Sequence, residues 1–300
     1  MKTYLECYPC FFRQAVEAAQ FAGLNDEDTR QVLIEIGRKL EGFSLETKPP
    51  EMAVTIHKLI KEKSGNSDPY RQQKQESTRL ALNILPDIRK KLLEADDHLL
   101  MAVQLAVAGN IIDFGVKQTQ SFEQEIFNLI HMEERLIEEE EDRFFQFEQF
   151  KEALFDASSI IYLGDNAGET VFDRILLEEI KSVNPEAELV YTVRGTPIIN
   201  DAVLEDARQA DIQKSAEIIT SGSDGPGTLL HRCSDDFLAR LNRADLIISK
   251  GQGNFESLSE SDYPVFYLLI AKCPVVARHV GCRKGDFLLL DNKTLESKNA

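Results

Sequence analysis

SSIIYLGDNAGETVFD, residues 158–173, decides the fold of this chain. SSIIYL is an apolar run rich in β-branched residues, which predicts a buried β-strand, and the residues after Gly164 have the composition of a turn that opens a helix. The turn suits two kinds of chemistry. Its glycines fit a loop that cradles a nucleotide phosphate, whereas Asp165 and Asn166 fit the binding of a metal ion.

The same alternation of strand and helix continues along the rest of the chain. Further strand-like runs are AELVYTV, AEIIT, ADLIIS, VFYLLI with PVVA close behind, and DFLLL. Strands that are apolar along their whole length are typical of parallel sheets covered on both faces, and the helical stretches between them fit right-handed crossovers. The sequence therefore predicts an α/β fold with a doubly wound, mostly parallel, Rossmann-like sheet.

Before residue 155 the pattern is helical, with apolar residues at intervals of three and four. Breaks fall at TKPPE, at GNSDPY and at Gly109, where helices should stop. We expect an N-terminal all-helical domain over residues 1–155 that packs against the sheet and caps the site, and an α/β domain over residues 156–300 that carries a metal site.

The balance of charge limits the partners of the chain. Its 34 basic and 51 acidic residues give a formal net charge of −17, which repels nucleic acid but leaves a small phosphorylated molecule as a partner. No apolar stretch approaches the length of a membrane span, and the first residues lack the order of a signal peptide. We therefore expect a cytoplasmic protein that binds neither nucleic acid nor membranes.

Five cysteines are an odd number for a disulfide framework. Cys7 and Cys10 form a CxxC, but the residues after it are helical, so a thioredoxin-like role has little support. Two thiolates three residues apart can share a metal ion, and His279 and Cys282 offer a distant pair of soft ligands. Two interpretations stay open: a second metal site that includes Cys7, Cys10 and Cys282, or cysteines that pack as small apolar groups.

Polar residues are concentrated where the predicted strands end. In a doubly wound sheet, ligands bind beyond the carboxyl ends of the strands, near the point where strand order reverses. The residues that follow four consecutive predicted strands include acids, amides, glycines and basic residues. The candidate residues are Asp165, Asn166, Glu169, Arg194, Asp201, Asp224, Lys250 and Asn254.

Known nucleotide fingerprints do not match the turn after the first strand. A dinucleotide site needs G-x-G-x-x-G, and the chain has Gly-Asp-Asn-Ala-Gly instead; no Walker loop occurs anywhere. Asp165, Asn166 and Asp201 suit a hard divalent cation, although each alone is also a common helix N-cap. With Lys250 at a neighbouring strand end, the set favours a metal-dependent phosphoryl site, and hydrolysis is the simplest reaction there.

In order along the chain, CYPC, DPYRQQKQESTRLAL, AGNIIDFG, GDNAGE, VRGTPIINDA, SGSDGPGT and SKGQGNFESL resemble the damage-control phosphatase family, formerly the domain of unknown function eighty-nine. The CxxC marks its prokaryotic subgroup. The resemblance covers nearly the whole chain. It implies a phosphatase that uses Mn, Ni, Co or Mg to hydrolyse small phosphorylated metabolites, such as sugar phosphates and phosphorylated cofactor precursors.

The resemblance also implies roles for particular residues. It makes Asp165, Asn166 and Asp201 the metal ligands, and Lys250 the phosphate-contacting lysine, so that Asp165, Asp201 and Lys250 are the predicted catalytic residues. The residues predicted to contact substrate are Asn110, Asp113, Glu169, Arg194, Asp224 and Asn254.

Two other functions remain as alternatives. One is a non-catalytic module that binds a phosphorylated metabolite. The other is an S-adenosylmethionine-dependent carboxyl methyltransferase, because the eukaryotic branch of the family has been associated with that activity. The second strand of such an enzyme should end in an acidic residue, whereas here Arg194 follows it. We therefore rank methyl transfer below hydrolysis.

Overall fold

The structure is a computed structural model that describes residues 1–110 and 143–294. The helices are α1 (Cys7–Phe21), α2 (Asp26–Glu41), α3 (Pro49–Ser64), α4 (Arg71–Glu94), α5 (His98–Ala108), α6 (Phe147–Asp156), α7 (Thr170–Val183), α8 (Leu204–Gln209), α9 (Asp235–Leu241), α10 (Gly251–Leu258) and α11 (Pro274–Val280). The strands are β1 (Ser159–Leu163), β2 (Glu188–Val193), β3 (Glu217–Thr220), β4 (Leu246–Lys250), β5 (Val265–Ile270) and β6 (Phe287–Asp291).

The strands form one sheet in the order β3-β2-β1-β4-β5-β6. All neighbouring pairs are parallel except β5 and β6, which run antiparallel. The predicted doubly wound, mostly parallel fold is therefore confirmed. Strand order reverses between β1 and β4, so the turns that follow these two strands lie side by side at the carboxyl edge of the sheet.

Helices cover both faces of the sheet, which explains the apolar strands. On one face, α4, α5, α6 and α7 share a core with inward residues of the strands, including Tyr162 and Tyr191. On the other face, α9, α10 and α11 pack around residues such as Phe255 and Tyr267. Both clusters consist of fully buried side chains, so the sheet is the centre of the fold.

The N-terminal residues divide between two cores. Helices α1, α2 and α3 pack around a cluster of their own that contains Phe11, Ile36 and Ile56. Helices α4 and α5 join the core of the sheet, and Ala81 and Val103 lie in the same cluster as Ile160. The predicted helical region is present in the described residues, and its inner helices form part of the layer that covers the sheet.

Local signals set many helix ends. Asn25 caps α2 by accepting from the Asp28 amide, α3 begins with prolines, and Gly65 ends it at a φ of 68°. PVVA was expected to continue the strand pattern, and this was wrong. Pro274 occupies the first turn of α11, where its missing N–H costs nothing. No helix among the described residues is long and apolar enough to cross a membrane.

Candidate active site

The turn after β1 is joined to the segment after β2 through the backbone. The amide of Ala202 donates to the carbonyl of Asp165 over 2.7 Å, and the amide of Arg194 donates to the carbonyl of Ala202 over 2.9 Å. Asn166 and Asp201 form an isolated β-bridge. Asp165, Asn166 and Asp201, the predicted metal ligands, are thus adjacent and almost fully buried.

Glu169 accepts hydrogen bonds from several side chains around this turn. Its Oε1 accepts from Asn166 Nδ2 over 2.7 Å and also from Asn110 Nδ2, while its Oε2 accepts from Lys250 Nζ over 3.0 Å. Asn110 lies just after α5, and Lys250 ends β4. Glu169 therefore connects the helical region with two strand ends, and only 1% of its surface is exposed.

Lys250 is held between two carboxylates inside the fold. Its Nζ donates to Glu169 and, over 2.7 Å, to Asp173 Oδ1. Burial opposes its charge, but the attraction of Asp173 and Glu169 outweighs this and raises the pKa of Lys250. Asp173 also accepts 2.7 Å hydrogen bonds from the hydroxyls of Tyr162 and Tyr191. The ammonium is fully buried, and its predicted contact with phosphate stays a prediction.

Arg194 and Asp201 form a buried ion pair. Arg194 Nε donates to Asp201 Oδ2 over 2.7 Å, and Nη2 donates to Asn254 Oδ1 over 3.1 Å. The remaining nitrogen, Nη1, is buried and finds no hydrogen-bond partner in the part of the chain that the structure describes. A buried guanidinium N–H without an acceptor is a strong candidate to bind an anionic oxygen.

Asn254 connects the ends of several strands by hydrogen bonds. Its Nδ2 donates to the carbonyls of Gly164 and Lys250, over 3.2 and 2.7 Å, and its Oδ1 accepts from Arg194 and from Thr228 Oγ1. An amide has two donor hydrogens and two acceptor lone pairs, so this side chain is fully satisfied. Its predicted contact with substrate stays a prediction, and the contacts observed are all internal.

Buried acids raise one another's pKa here. Burial, then Glu169 and Asp201, raise the pKa of Asp165 well above its ordinary value, while Arg194 and Lys272 oppose the shift. Burial also raises the pKa of Asp201 and of Asp173, against the attraction of Arg194 and of Lys250. Around this turn, the described residues include four buried carboxylates and two buried cations, which leave a formal charge of −2. The four acids are Asp165, Glu169, Asp173 and Asp201, and the cations are Arg194 and Lys250.

The donor set fits an oxygen-preferring divalent cation. Two excess negative charges match its charge, and carboxylate and amide oxygens are its usual ligands. Within residues 1–110 and 143–294, no three His, Cys, Asp or Glu side chains form a metal-binding group. A cation bound next to Asp165 and Asp201 therefore depends on amide oxygens as well. Asn110 Oδ1 is buried there and has no partner among the described residues.

Of the other predicted substrate contacts, Asp224 lies away from this centre. Asp224 is exposed and accepts from Arg232 Nη1 over 2.9 Å, so the structure does not bring it into the buried network. Asp113 lies outside the described residues. The substrate-contacting roles predicted for both residues stay predictions.

The structure places the CxxC at the start of a helix. Cys7 and Cys10 lie in the first turn of α1, where burial raises the pKa of both thiols and the charges of Glu256 and Cys273 also act on them. Cys273 precedes α11, whereas Cys282 follows its other end. No three His, Cys, Asp or Glu side chains group as a metal site in the described part, and the metal site predicted from Cys7, Cys10 and Cys282 stays a prediction.

Sequence reasoning missed three members of the network. Asp173 lies in the first turn of α7, four residues after Glu169, the N-cap of that helix, so the two carboxylates can lie side by side. An acid within the apolar run TVFDRILL was a usable signal, because a buried acid needs a partner. Tyr162 and Tyr191 carried no such signal, since tyrosine is common in strands.

Comparisons with known proteins agree with this architecture. Residues 3–288 match the damage-control phosphatase ARMT1-like domain. A damage-control phosphatase of Pyrococcus horikoshii is 36% identical over 300 residues, covering 98% of this chain and 99% of that protein. An uncharacterized protein of Methanocaldococcus jannaschii is 38% identical over 95% of this chain and 94% of its own length.

A damage-control phosphatase of Archaeoglobus fulgidus is 33% identical, covering 96% of this chain and 98% of its own. The crystal structure of a DUF89 family protein from Pyrococcus horikoshii superimposes with a TM-score of 0.86 at 32% identity, over 97% of this chain and 99% of that one. These likenesses support a phosphatase role on phosphorylated metabolites. The chain belongs to the family of the damage-control phosphatase ARMT1-like domain.

Proposed function

We propose that the chain is a metal-dependent phosphatase that hydrolyses phosphoric monoesters of small metabolites. The observation that carries the proposal is the buried excess of two negative charges around the turn after β1, beside Arg194, whose Nη1 has no hydrogen-bond partner among the described residues. Mn, Ni, Co or Mg would be the cation, held by Asp165, Asn166 and Asp201. Sugar phosphates and phosphorylated cofactor precursors are the proposed substrates, and the cytoplasm is the proposed location.

The acidic groups around the site suit the cation, and the basic groups suit the phosphoryl group of the substrate. When bound, a divalent cation would polarise the phosphoryl oxygens and lower the pKa of a bound water. Arg194 Nη1 is placed to donate to a phosphoryl oxygen, because Nε and Nη2 already hold Asp201 and Asn254. Lys272, which follows β5, acts electrostatically on Asp165 and adds positive charge at the same edge of the sheet.

Asp165 and Asp201 would also control a proton at the site. Burial and neighbouring acids raise the pKa of both carboxylates. A bound cation would favour their ionised forms, and an ionised carboxylate can accept a proton from water. Asp201 is fixed by Arg194 and by the Gly227 amide, whereas no bond from Arg194 restrains the Asp165 carboxylate. Asp165 is therefore the stronger candidate for the base.

The proposal is tested by measuring released phosphate from a panel of phosphorylated metabolites with each of the four cations. We expect turnover that stops with a chelator and returns with the metal. Asp165→Asn should lower the rate at least about 100-fold, the upper end of what disturbing a metal site costs. Asp87→Asn is the matched control, since this exposed aspartate on α4 undergoes the same change of charge.

Two results would contradict the proposal. Turnover that is unchanged after chelation would exclude a role for the metal. Tight binding of phosphorylated metabolites without turnover, with every cation, would instead identify a binding module.

A further inference from the structure

Glu169 accepts hydrogen bonds from amide groups in two separate parts of the chain. Asn166 reaches it from the turn after β1 over 2.7 Å, and Asn110 reaches it from the residues that follow α5. Both bonds end on the same atom, Oε1, and all three side chains are at most 6% exposed. One carboxylate oxygen therefore holds two asparagines in the protein interior.

This arrangement selects the orientation of both amides. An ionised carboxylate can only accept hydrogen bonds, so each asparagine must turn its NH2 toward Glu169 and its oxygen away. Asn166 Nδ2 is also 3.3 Å from Asp165 Oδ2, which favours the same orientation. Asn110 Oδ1 is left buried, without a hydrogen-bond partner in the described part of the chain. A buried oxygen that lacks a donor is a ready ligand for a cation.

Lys250 and Asp173 fix Glu169 in place. The Lys250 ammonium lies 3.0 Å from Glu169 Oε2 and 2.7 Å from Asp173 Oδ1, and all three residues are essentially unexposed. Asp173 is in turn held by the hydroxyls of Tyr162 and Tyr191. Such supporting partners orient metal ligands, and Lys250 acts here through Glu169.

We propose that Glu169 is a positioning residue that turns the oxygens of Asn166 and Asn110 toward one divalent cation, and that Asn110 is itself a ligand of this cation. The inference rests on the proposed metal-dependent function. It explains how a site with too few grouped carboxylates completes its ligand set: the remaining oxygens are amide oxygens. It also makes Asn110, which follows α5, part of the metal site.

The test measures Mn2+ binding to the metal-free, full-length protein by isothermal titration calorimetry. We expect Glu169→Gln to raise the Kd for Mn2+ about 10- to 100-fold. Donors contact both oxygens of Glu169, so the glutamine NH2 must face either the two asparagines or the Lys250 ammonium, and either contact is unfavourable. Glu179→Gln, on the helix that Glu169 precedes, is the control and should bind Mn2+ like the wild type. Circular dichroism and thermal unfolding verify that both variants are folded.

Asn110→Ala provides a second variant that leaves Glu169 and Lys250 intact. It should also weaken Mn2+ binding about 10-fold or more, since it removes a ligand oxygen. Wild-type affinity in Asn110→Ala would overturn its assignment as a ligand, and wild-type affinity in Glu169→Gln would overturn the positioning role. If the wild type itself binds no Mn2+, Mg2+, Co2+ or Ni2+, the proposed function fails; if it binds and both variants match it, only this inference fails.

Discussion

Gly251 is the residue on which the approach of β4 to Asp165 depends. It has a φ of 79°, and a Cβ added there would lie 1.8 Å from Asp165 Oδ2. Both observations require glycine, since a side chain would be strained by the backbone and would displace the carboxylate. The turn after β4 thus leaves the space that Asp165 occupies.

We predict that Gly251→Ala damages the site as well as the stability of the fold. The positive φ alone should cost about 1–2 kcal/mol, and the contact with Asp165 adds to this. Gly23→Ala is the matched control, because Gly23 has a φ of 75° and nothing lies within 4 Å of its added Cβ. Thermal unfolding should show a larger loss for Gly251→Ala, and calorimetry should show weaker Mn2+ binding for that variant alone.

Equal losses of stability in the two variants, with Mn2+ binding intact, would mean that the carboxylate moves aside without cost. The backbone conformation would then be the whole reason for glycine at this position.

At the same scale, the sequence located residues whose position is local. Asp165, Asn166 and Asp201 follow strand ends, so their place at the carboxyl edge follows from the strand pattern. Lys250 was located in the same way, but its partners were not. Lys250 pairs with Asp173, which lies 77 positions away in the chain. Sequence spacing does not predict a contact between residues so far apart.

Among the elements, the strands were predicted better than the helices that follow them. The parallel strands β1, β2, β4 and β5 are runs of mostly buried residues, and their apolar character is required by the two helical layers that cover them. The same criterion failed for PVVA, because Val275 and Val276 are buried on a helix. A short apolar run does not reveal its period, whereas Pro274 at its start did signal a helix N-terminus.

Helix α5 deserves an element-level test because it ends next to Asn110. Asp97 caps it, accepting from the Leu100 amide over 3.0 Å. We predict that Asp97→Ala lowers the free energy of unfolding by about 1 kcal/mol, the usual value of an N-cap, in urea titrations with an unchanged m-value. Asp97→Ser should retain most of the stability; a serine variant as unstable as the alanine variant would show that capping is not the cause.

At the scale of the molecule, Lys74 joins the helical region to the sheet region. This lysine of α4 is 3% exposed and lies 3.1 Å from Asp68 and 3.3 Å from Asp206. Asp206 lies in the first turn of α8 and accepts from the amide of Val203, the residue before that helix. Asp206 lies in the segment that follows Asp201. The ion pairs therefore connect the packing of α4 to the loop that carries a proposed metal ligand.

We predict that Lys74→Met destabilises the protein by about 3–5 kcal/mol, because it leaves two buried carboxylates without a counter-charge. Lys90→Met, at an exposed position on the same helix, should change little. The double variant Lys74→Met/Asp206→Asn should recover part of the loss in urea unfolding, and a double variant less stable than the single one would refute the pairing.

A buried histidine predicts how stability depends on pH. Burial, and secondarily the charge of Lys61, lowers the pKa of His57 to about 3, from an ordinary value near 6.5. A lowered folded-state pKa means that the unfolded chain binds the proton more readily, so stability is present above pH 6.5 and falls as pH drops toward 3. This single group should cost the wild type about 2 kcal/mol between pH 7.5 and pH 5.

The expected result is that His57→Leu loses less stability than the wild type over this interval. The raised pKa of Asp165, Asp173 and Asp201 acts in the opposite direction in both proteins, so the difference between them isolates His57. Urea unfolding at the two pH values measures it. If both proteins lost the same stability over this interval, His57 would be protonated within the folded protein, and its folded-state pKa would not be lowered.

By itself, the sequence determined the alternation of strands and helices, the parallel sheet and the clustering of Asp165, Asn166 and Asp201 at its carboxyl edge. These follow from periodicity and from residues next to strand ends, which are local properties. Tertiary structure alone decided that Lys250 is enclosed by two carboxylates and that Asn110 meets Glu169. Such pairings depend on how distant elements pack, and burial makes them specific, because each enclosed charge or amide must find a partner within the fold.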